Sequence, residues 1–195
     1  MNTNDFIKAF QRPWDYNLHQ RSIFPEANRP AAVLLCLNPQ DTEPHVIFTE
    51  RAHHLKHHAG QISFPGGKVE NSDKGLEHTA CREAEEEIGL SSELINVVGA
   101  MPEYKTISGF AVTPIIAYLS SMINIHKDLR LDENEVASVF EVPLSFLLSH
   151  ENYETKQLTR KNQQTNVHYI KYQQHTIWGA TAGMLFQLKE HILHK

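Results

Sequence analysis

Phe64-Pro65-Gly66-Gly67, followed after a polar spacer by Arg82-Glu83-Ala84-Glu85-Glu86-Glu87-Ile88-Gly89-Leu90, is the stretch that decides the fold of this chain. Its second half puts Glu83, Glu86 and Glu87 at i, i+3 and i+4, which on an α-helix is one face with neighbouring side chains. Three carboxylates held that close repel one another, and helix stability alone gives no reason to cluster them. A hard divalent cation removes the repulsion, since Mg²⁺ and Mn²⁺ take oxygen ligands and bridge carboxylates to phosphate oxygens. The alternative is a solvated acidic face on which Arg82 pairs with Glu86 one turn on.

The residues before the helix favour the cation. Gln61-Ile62-Ser63-Phe64 reads as a short strand, and Gly66-Gly67 after it lets backbone come close to an ion or ligand. Asn71, Ser72 and Asp73 are the N-cap candidates. Leu76, Ala80, Ala84 and Ile88 form an apolar row with helical spacing, and Gly89 fits the left-handed position that closes a helix. Strand, Gly-Gly loop and helix together bring backbone carbonyls and three glutamates to one point.

This arrangement resembles the Nudix hydrolases, whose signature reads G, five residues, E, seven residues, R-E-U-x-E-E-x-G-U, with U apolar. Gly67 opens it, and Arg82, Glu83, Ala84, Glu86, Glu87, Gly89 and Leu90 fill its second half. Two positions depart from it. Asp73 stands where the first Glu belongs, and eight residues rather than seven separate it from Arg82. Upstream, Phe48-Thr49-Glu50-Arg51-Ala52 and Leu55-Lys56-His57-His58-Ala59-Gly60-Gln61 lead into Phe64-Pro65-Gly66-Gly67. That run is similar to the coenzyme A pyrophosphatase branch, which shares the longer spacing and has T-A before the R-E pair, as in Thr79-Ala80. Lys56 replaces the branch's Arg, keeping charge but losing the planar fork.

The resemblance implies an α/β (α+β) fold, a Nudix-like mixed β-sheet sandwiched between helices. It implies Mg²⁺ or Mn²⁺ held by Glu83, Glu86 and Glu87 with a backbone carbonyl of the Gly66-Gly67 loop, Gly67 in particular. One glutamate serves as general base in this scheme, and Arg82 orients a glutamate. Glu135, in Asp132-Glu133-Asn134-Glu135-Val136, is a further candidate ligand or base, against an ordinary acidic turn. Arg51, Lys56 and His58 are expected to meet substrate phosphates, with Gln61 and Gly66 completing the substrate side.

The whole chain sets looser bounds. Its 195 residues suit a single domain, residues 1–195, with 1–29 as an entry segment. Hydrophobic content of 41% and charged content of 21% are those of a globular protein. A formal charge of −5 disfavours a general nucleic-acid binder. Cys36 and Cys81 match no disulfide framework or zinc spacing and read as packing residues. Without a signal-like or bilayer-length apolar run, cytoplasm is the default and no membrane partner is expected.

Along the chain, helices are expected at 5–10, 143–148 and from Gly179 to about His191. Strands are expected at 31–37, 45–49, 95–101, 110–119, 138–142 and 167–172, with Pro114 marking an edge or a bulge. Lys156 to Gln163 reads as a solvated hairpin. His53, His54, His57 and His58 could bind zinc if helical, but no Cys accompanies them, and the first three read as solvated. Phe140, Phe146, Trp178 and Phe186 read as core, and Tyr104 as a stacking candidate in a polar loop.

The expected function is metal-dependent cleavage of coenzyme A or its derivatives to phosphopantetheine and adenosine 3′,5′-bisphosphate. The rivals are a Nudix enzyme for another nucleoside diphosphate derivative (ADP-ribose, a dinucleotide or an oxidised nucleotide) and a Nudix-fold binding module without catalysis. Coenzyme A carries a 3′-phosphate that ADP-ribose lacks, and Arg51 or Lys56 is available to pair with it. The partner is a small molecule, and the sequence leaves the oligomeric state open.

Overall fold

The apolar run beginning at Ala31 becomes β1 (Arg29–Asn38), and everything else is laid against it. The computed structural model describes residues 1–15, 26–160 and 163–194. In chain order the elements are α1 (Thr3–Phe10), β1, β2 (His45–Arg51), β3 (Ile62–Ser63), β4 (Gly66–Lys68), α2 (Leu76–Ile88), β5 (Ile95–Ala100), β6 (Tyr104–Lys105), β7 (Phe110–Leu119), α3 (Ile125–Asp128), β8 (Val136–Pro143), α4 (Leu144–Leu148), β9 (Tyr153–Arg160), β10 (Gln163–Tyr172), β11 (His175–Trp178) and α5 (Gly179–Leu193).

β1 runs parallel to β7 along nearly its whole length, with Arg29 opposite Phe110 and Leu37 opposite Tyr118. On its other side its partner changes. Ala31, Ala32 and Val33 pair with β4, whereas Leu37 and Asn38 pair with β2. The Gly66-Gly67 segment therefore fills a fork between β1 and β2, and it is a short strand where a loop is expected from the sequence. β2 pairs with β8 along one edge and with β3 at its far end.

Strand alternation sends successive β1 side chains to opposite faces. Ala32, Leu34 and Cys36 pack with Ala80, Ala84 and Ile88 of α2. Leu35 and Leu37 pack on the other face with Phe6 and Phe10 of α1 and Leu185, Leu188 and Ile192 of α5. A mixed sheet with helices on both faces results, as the resemblance implies. The structure adds a separate antiparallel sheet in the order β11-β10-β9, which the sequence reading did not anticipate. The predicted hairpin at 156–163 is its β9–β10 corner, and residues 161–162 lie outside the described residues.

Three local expectations change. Of the two readings of Pro114 the edge falls away and the irregularity stays, because β7 lies between β1 on one side and β5 and β6 on the other, with a one-residue slip in register between them. A strand residue's N–H and C=O face the same neighbour. The Pro114 carbonyl accepts from Met101 N, beyond the end of β5 and short of β6, so the missing N–H falls where that ladder is already interrupted. Leu76 is 36% exposed, while Ala80, Ala84 and Ile88 are fully buried. Pro143 is the N-cap of α4 rather than its first helical residue.

Candidate active site

α2 begins at Leu76 after Gly75, not after a capping side chain from Asn71, Ser72 or Asp73. Asp73 is occupied elsewhere. Its carboxylate accepts from Arg82 Nε at 2.9 Å and Nη2 at 3.1 Å, Thr79 Oγ1 at 2.8 Å and the Glu70 amide at 2.8 Å, with His78 Nδ1 2.9 Å away. The Arg82 guanidinium above all holds this carboxyl far below the usual carboxylate range. Asp73 in turn keeps Arg82 firmly charged. The departure from the Glu of the signature thus forms a clamp that ties the loop after β4 to the helix. Arg82 also donates to the Lys68 carbonyl at 3.2 Å and to Glu86 at 2.8 Å, and lies 3.1 Å from Glu83.

Gly67 permits close contact with α2, and Gly66 close pairing with β1. A Cβ on Gly67 would overlap the Glu83 carboxylate, and one on Gly66 would strike the Ala32 carbonyl and Val33. Gly66 has φ 153° and donates its amide to Glu87 at 3.1 Å. At the far end of α2, Gly89 is left-handed with its amide on the Glu85 carbonyl, the helix stop expected from its position.

The three glutamates do not share one environment. Glu87 is 4% exposed, and its pKa is pushed up to about 8, by burial first, with Glu83 and Glu135 adding repulsion. The Gly66 amide and Arg51, whose Nη1 lies 4.0 Å from Glu87, work in the opposite direction. Glu83 is also raised, chiefly by burial, although Arg82 offsets part of the rise. The Glu86 side chain is 60% exposed and turned out to Arg82, the pairing the solvated alternative foresaw. Among the described residues no three acidic, histidine or cysteine side chains stand close enough to ligate one ion as they are placed. Glu83, Glu87 and the adjoining Gly66-Gly67 backbone nevertheless offer only hard oxygen donors, in a spot where the anions are desolvated and crowded. Those are conditions a divalent cation relieves.

The acidic turn before β8 is brought to the same place. Ala52 N donates to the Glu135 carbonyl at 2.8 Å, and Asp132 N donates to the Glu87 carbonyl at 2.9 Å. Glu135 itself is exposed, yet its charge acts on both Glu83 and Glu87. On the predicted substrate side, Arg51 and the Gly66 amide face Glu87, and His58 Nδ1 lies 2.7 Å from Gln61 Oε1. Lys56 is exposed.

A model of the NUDIX domain matches residues 27–162. The chain belongs to the Nudix family. It is 37% identical over 189 residues to a Photorhabdus laumondii protein described as an uncharacterized Nudix hydrolase, NudL, covering 97% of each chain. The Pectobacterium atrosepticum protein of the same description is 36% identical, over 95% of this chain and 92% of that one. A Nudix hydrolase from M. smegmatis, RenU, is a structural neighbour with TM-score 0.49 and 25% identity, over 59% of this chain and 70% of that one. This protein is therefore a Nudix hydrolase, an enzyme that splits the pyrophosphate of nucleoside diphosphate derivatives and draws on divalent metal ions. The reading as a silent binding module falls away.

Other candidates of this Nudix hydrolase resolve as packing or surface. Tyr104 is not free to stack, because its hydroxyl rests on Gly183 of α5. Trp178 is not core; it is 43% exposed and stacks on Tyr169 of the small sheet. Phe140 stacks on His175 at 3.7 Å, Phe186 stacks on His168 at 3.9 Å, and Phe146 meets Tyr172 edge-on at 4.9 Å. Cys36 is buried and Cys81 half-buried, both free. Among the described residues no helix is long and apolar enough to cross a membrane.

His53, His54, His57 and His58 are all exposed and lie outside any helix. His53 Nε2 lies 3.4 Å from Glu50, and His53 and His54 border an open depression of about 560 Å³ with Ala52, Leu131 and Val136. Replacing His53 and His54 together by Ala is expected to leave metal-dependent turnover intact, and elemental analysis of untagged protein is expected to find no zinc. Stoichiometric zinc that disappears in the double variant would contradict this.

Proposed function

We propose that this Nudix hydrolase cleaves the pyrophosphate of coenzyme A or its derivatives, releasing phosphopantetheine and adenosine 3′,5′-bisphosphate. One observation carries the proposal: the segment from Phe48 to Gly67 that resembles the coenzyme A branch closes on the carboxylates of α2 at both ends. Arg51 faces Glu87 at one end, and Gly66 and Gly67 touch Glu87 and Glu83 at the other. Lys56, His58 and Gln61 lie on the turn between, where a substrate bound at the glutamates would pass.

Within this scheme Glu83, Glu86, Glu87 and the Gly67 carbonyl would hold Mg²⁺ or Mn²⁺, which requires Glu86 to exchange Arg82 for the ion. The ion would supply charge neutralisation at the phosphate oxygens and a more acidic water. Arg82, fixed by Asp73, keeps Glu83 oriented. Arg51 offsets charge beside Glu87, where the diphosphate and the carboxylates would otherwise repel. Glu135, an exposed carboxylate whose charge acts on Glu83 and Glu87, is the candidate base for the attacking water. One P–O bond of the anhydride breaks, and the water oxygen ends on the phosphorus attacked.

The test is a substrate panel with product analysis: coenzyme A, acyl-coenzyme A, ADP-ribose, NADH and nucleoside triphosphates, each with Mg²⁺ and with Mn²⁺. Coenzyme A is expected to show the highest kcat/KM. Faster cleavage of ADP-ribose would move the enzyme to the rival substrate class.

A further inference from the structure

A phosphate-rich substrate needs cations, and the arginines nearest the α2 carboxylates are already engaged. Arg82 is divided among Asp73, Glu83 and Glu86, and Arg51 faces Glu87. A different pair of cations stands free beside β4. The Arg29 guanidinium lies 4.0 Å over the ring of Phe110, and Lys68 Nζ lies 5.9 Å from the same ring. Neither has a carboxylate partner among the described residues.

Arg29 is held in place by backbone. Its Nη2 donates to the Ser108 carbonyl, and its Nε is 3.5 Å from that of Gly109. The turn carrying those carbonyls is closed by Thr106, whose amide donates to the Phe110 carbonyl at 2.8 Å and whose hydroxyl accepts from the Phe110 amide at 3.0 Å. Nη1 of Arg29 has no hydrogen-bond partner among the described residues. A planar fork fixed at one edge and open at the other suits a phosphate dianion. Both cations are exposed while Phe110 between them is half-buried against the core, so the ring gives the pair a fixed floor in a chain of formal charge −5.

Sheet register connects the pair to the active site. Lys68 follows Gly67 directly and lies opposite Ala31, so it projects on the face away from α2. β4 has β1 as its ladder partner, and no strand among the described residues pairs with its other edge. A ligand whose diphosphate sits at Glu83 and Gly67 can therefore pass round that edge to reach Lys68 and Arg29.

The geometry points to Arg29 and Lys68, over Phe110, as the subsite for a phosphate monoester on the nucleoside half of the substrate. This reassigns that phosphate from Arg51 or Lys56, and it rests on the proposed coenzyme A-type substrate.

Binding without turnover tests it. Adenosine 3′,5′-bisphosphate and 5′-AMP are titrated calorimetrically into the wild-type chain, Arg29→Gln and Lys68→Gln. The wild type is expected to prefer the bisphosphate by about tenfold to hundredfold, the range of one or two charge-assisted contacts. Each variant should bring that ratio toward one while leaving the affinity for AMP unchanged. Lys68→Gln keeps the test decisive if Arg29→Gln loosens the turn at Phe110. An unchanged ratio in Lys68→Gln, an equal loss on both nucleotides, or inorganic phosphate binding with no preference between the nucleotides would overturn the subsite. So would collapse of the preference in Lys56→Ala alone. An Arg29-dependent preference in an enzyme that fails to cleave coenzyme A would remove the substrate reading and leave the subsite standing.

Discussion

Glu87→Gln is expected to abolish most turnover while leaving a folded protein, and Glu83→Gln to do the same. Both carboxylates touch the Gly66-Gly67 segment, so each substitution removes a charged oxygen donor without changing side-chain volume. Loss of electrostatic stabilisation at a reacting phosphate lowers turnover by about a hundredfold or more, whereas loss of a solvated glutamate changes stability by under about 0.5 kcal/mol. Stability measurements separate the two outcomes. The folded-state pKa of Glu87, about 8, lies above its ordinary value. Its burial therefore costs nothing below the usual carboxylate range, and the cost grows as pH rises through that range toward 8. Metal-free wild type should lose stability over that interval, and Glu87→Gln should lose less of it, since Glu83 remains raised by burial. Mg²⁺ or Mn²⁺ should raise the melting temperature of the wild type at pH 8 far more than that of the variant. Near-normal turnover by both variants at saturating metal would end the assignment.

What the sequence disclosed about this site is what is encoded locally. The helix that carries Glu83, Glu86 and Glu87, the buried Ala80, Ala84 and Ile88 of its apolar row, and the Gly89 stop all arise within one element and stand where their spacing predicts, although Leu76 of that row is exposed. The parts that stayed hidden depend on partners far along the chain. Three side chains could cap α2, and only the folded loop shows Asp73 drawn away to Arg82. Glu86 and Glu87 are adjacent in sequence but differ in burial, because one faces solvent beside Arg82 and the other faces β4. Pro114 reads as an edge or a bulge by its missing N–H, and the second holds: it sits inside the sheet where the register slips between β5 and β6. Arg29 and Lys68 carry no signal at all, since only the β1–β4 and β1–β7 registers bring them to one aromatic ring. Tyr104 looked available in a polar loop, but a glycine on α5 leaves a seat for its hydroxyl.

Lys189→Ala is expected to be the most damaging substitution outside the active site. Lys189 lies on α5 among Met184, Leu185, Leu188 and Ile192, and its side chain is fully buried. Its ammonium is 2.7 Å from His150 Nδ1 and 3.0 Å from Glu190, and lies 4.5 Å from the ring centre of Tyr153 and 4.3 Å from that of Phe186. Since the ammonium can only donate, His150 accepts through an unprotonated Nδ1. The contact pins α5 to the turn that leads into β9, and so fastens the small sheet to the rest of the molecule. Alanine leaves a void between two rings and strips Glu190 of its buried partner, a combination worth about 2–4 kcal/mol. Lys189→Met separates the two causes: it fills the space and removes the charge, and desolvated ammonium groups repay little of their burial cost. Chemical denaturation should therefore place Lys189→Met between wild type and Lys189→Ala, its distance from wild type reading the lost ion pair and its distance from Lys189→Ala the void. At a temperature where each variant is folded, kcat should be unchanged in both, because Lys189 touches none of the residues around α2. A loss below about 0.5 kcal/mol in Lys189→Ala would mean that the buried ammonium fastens nothing.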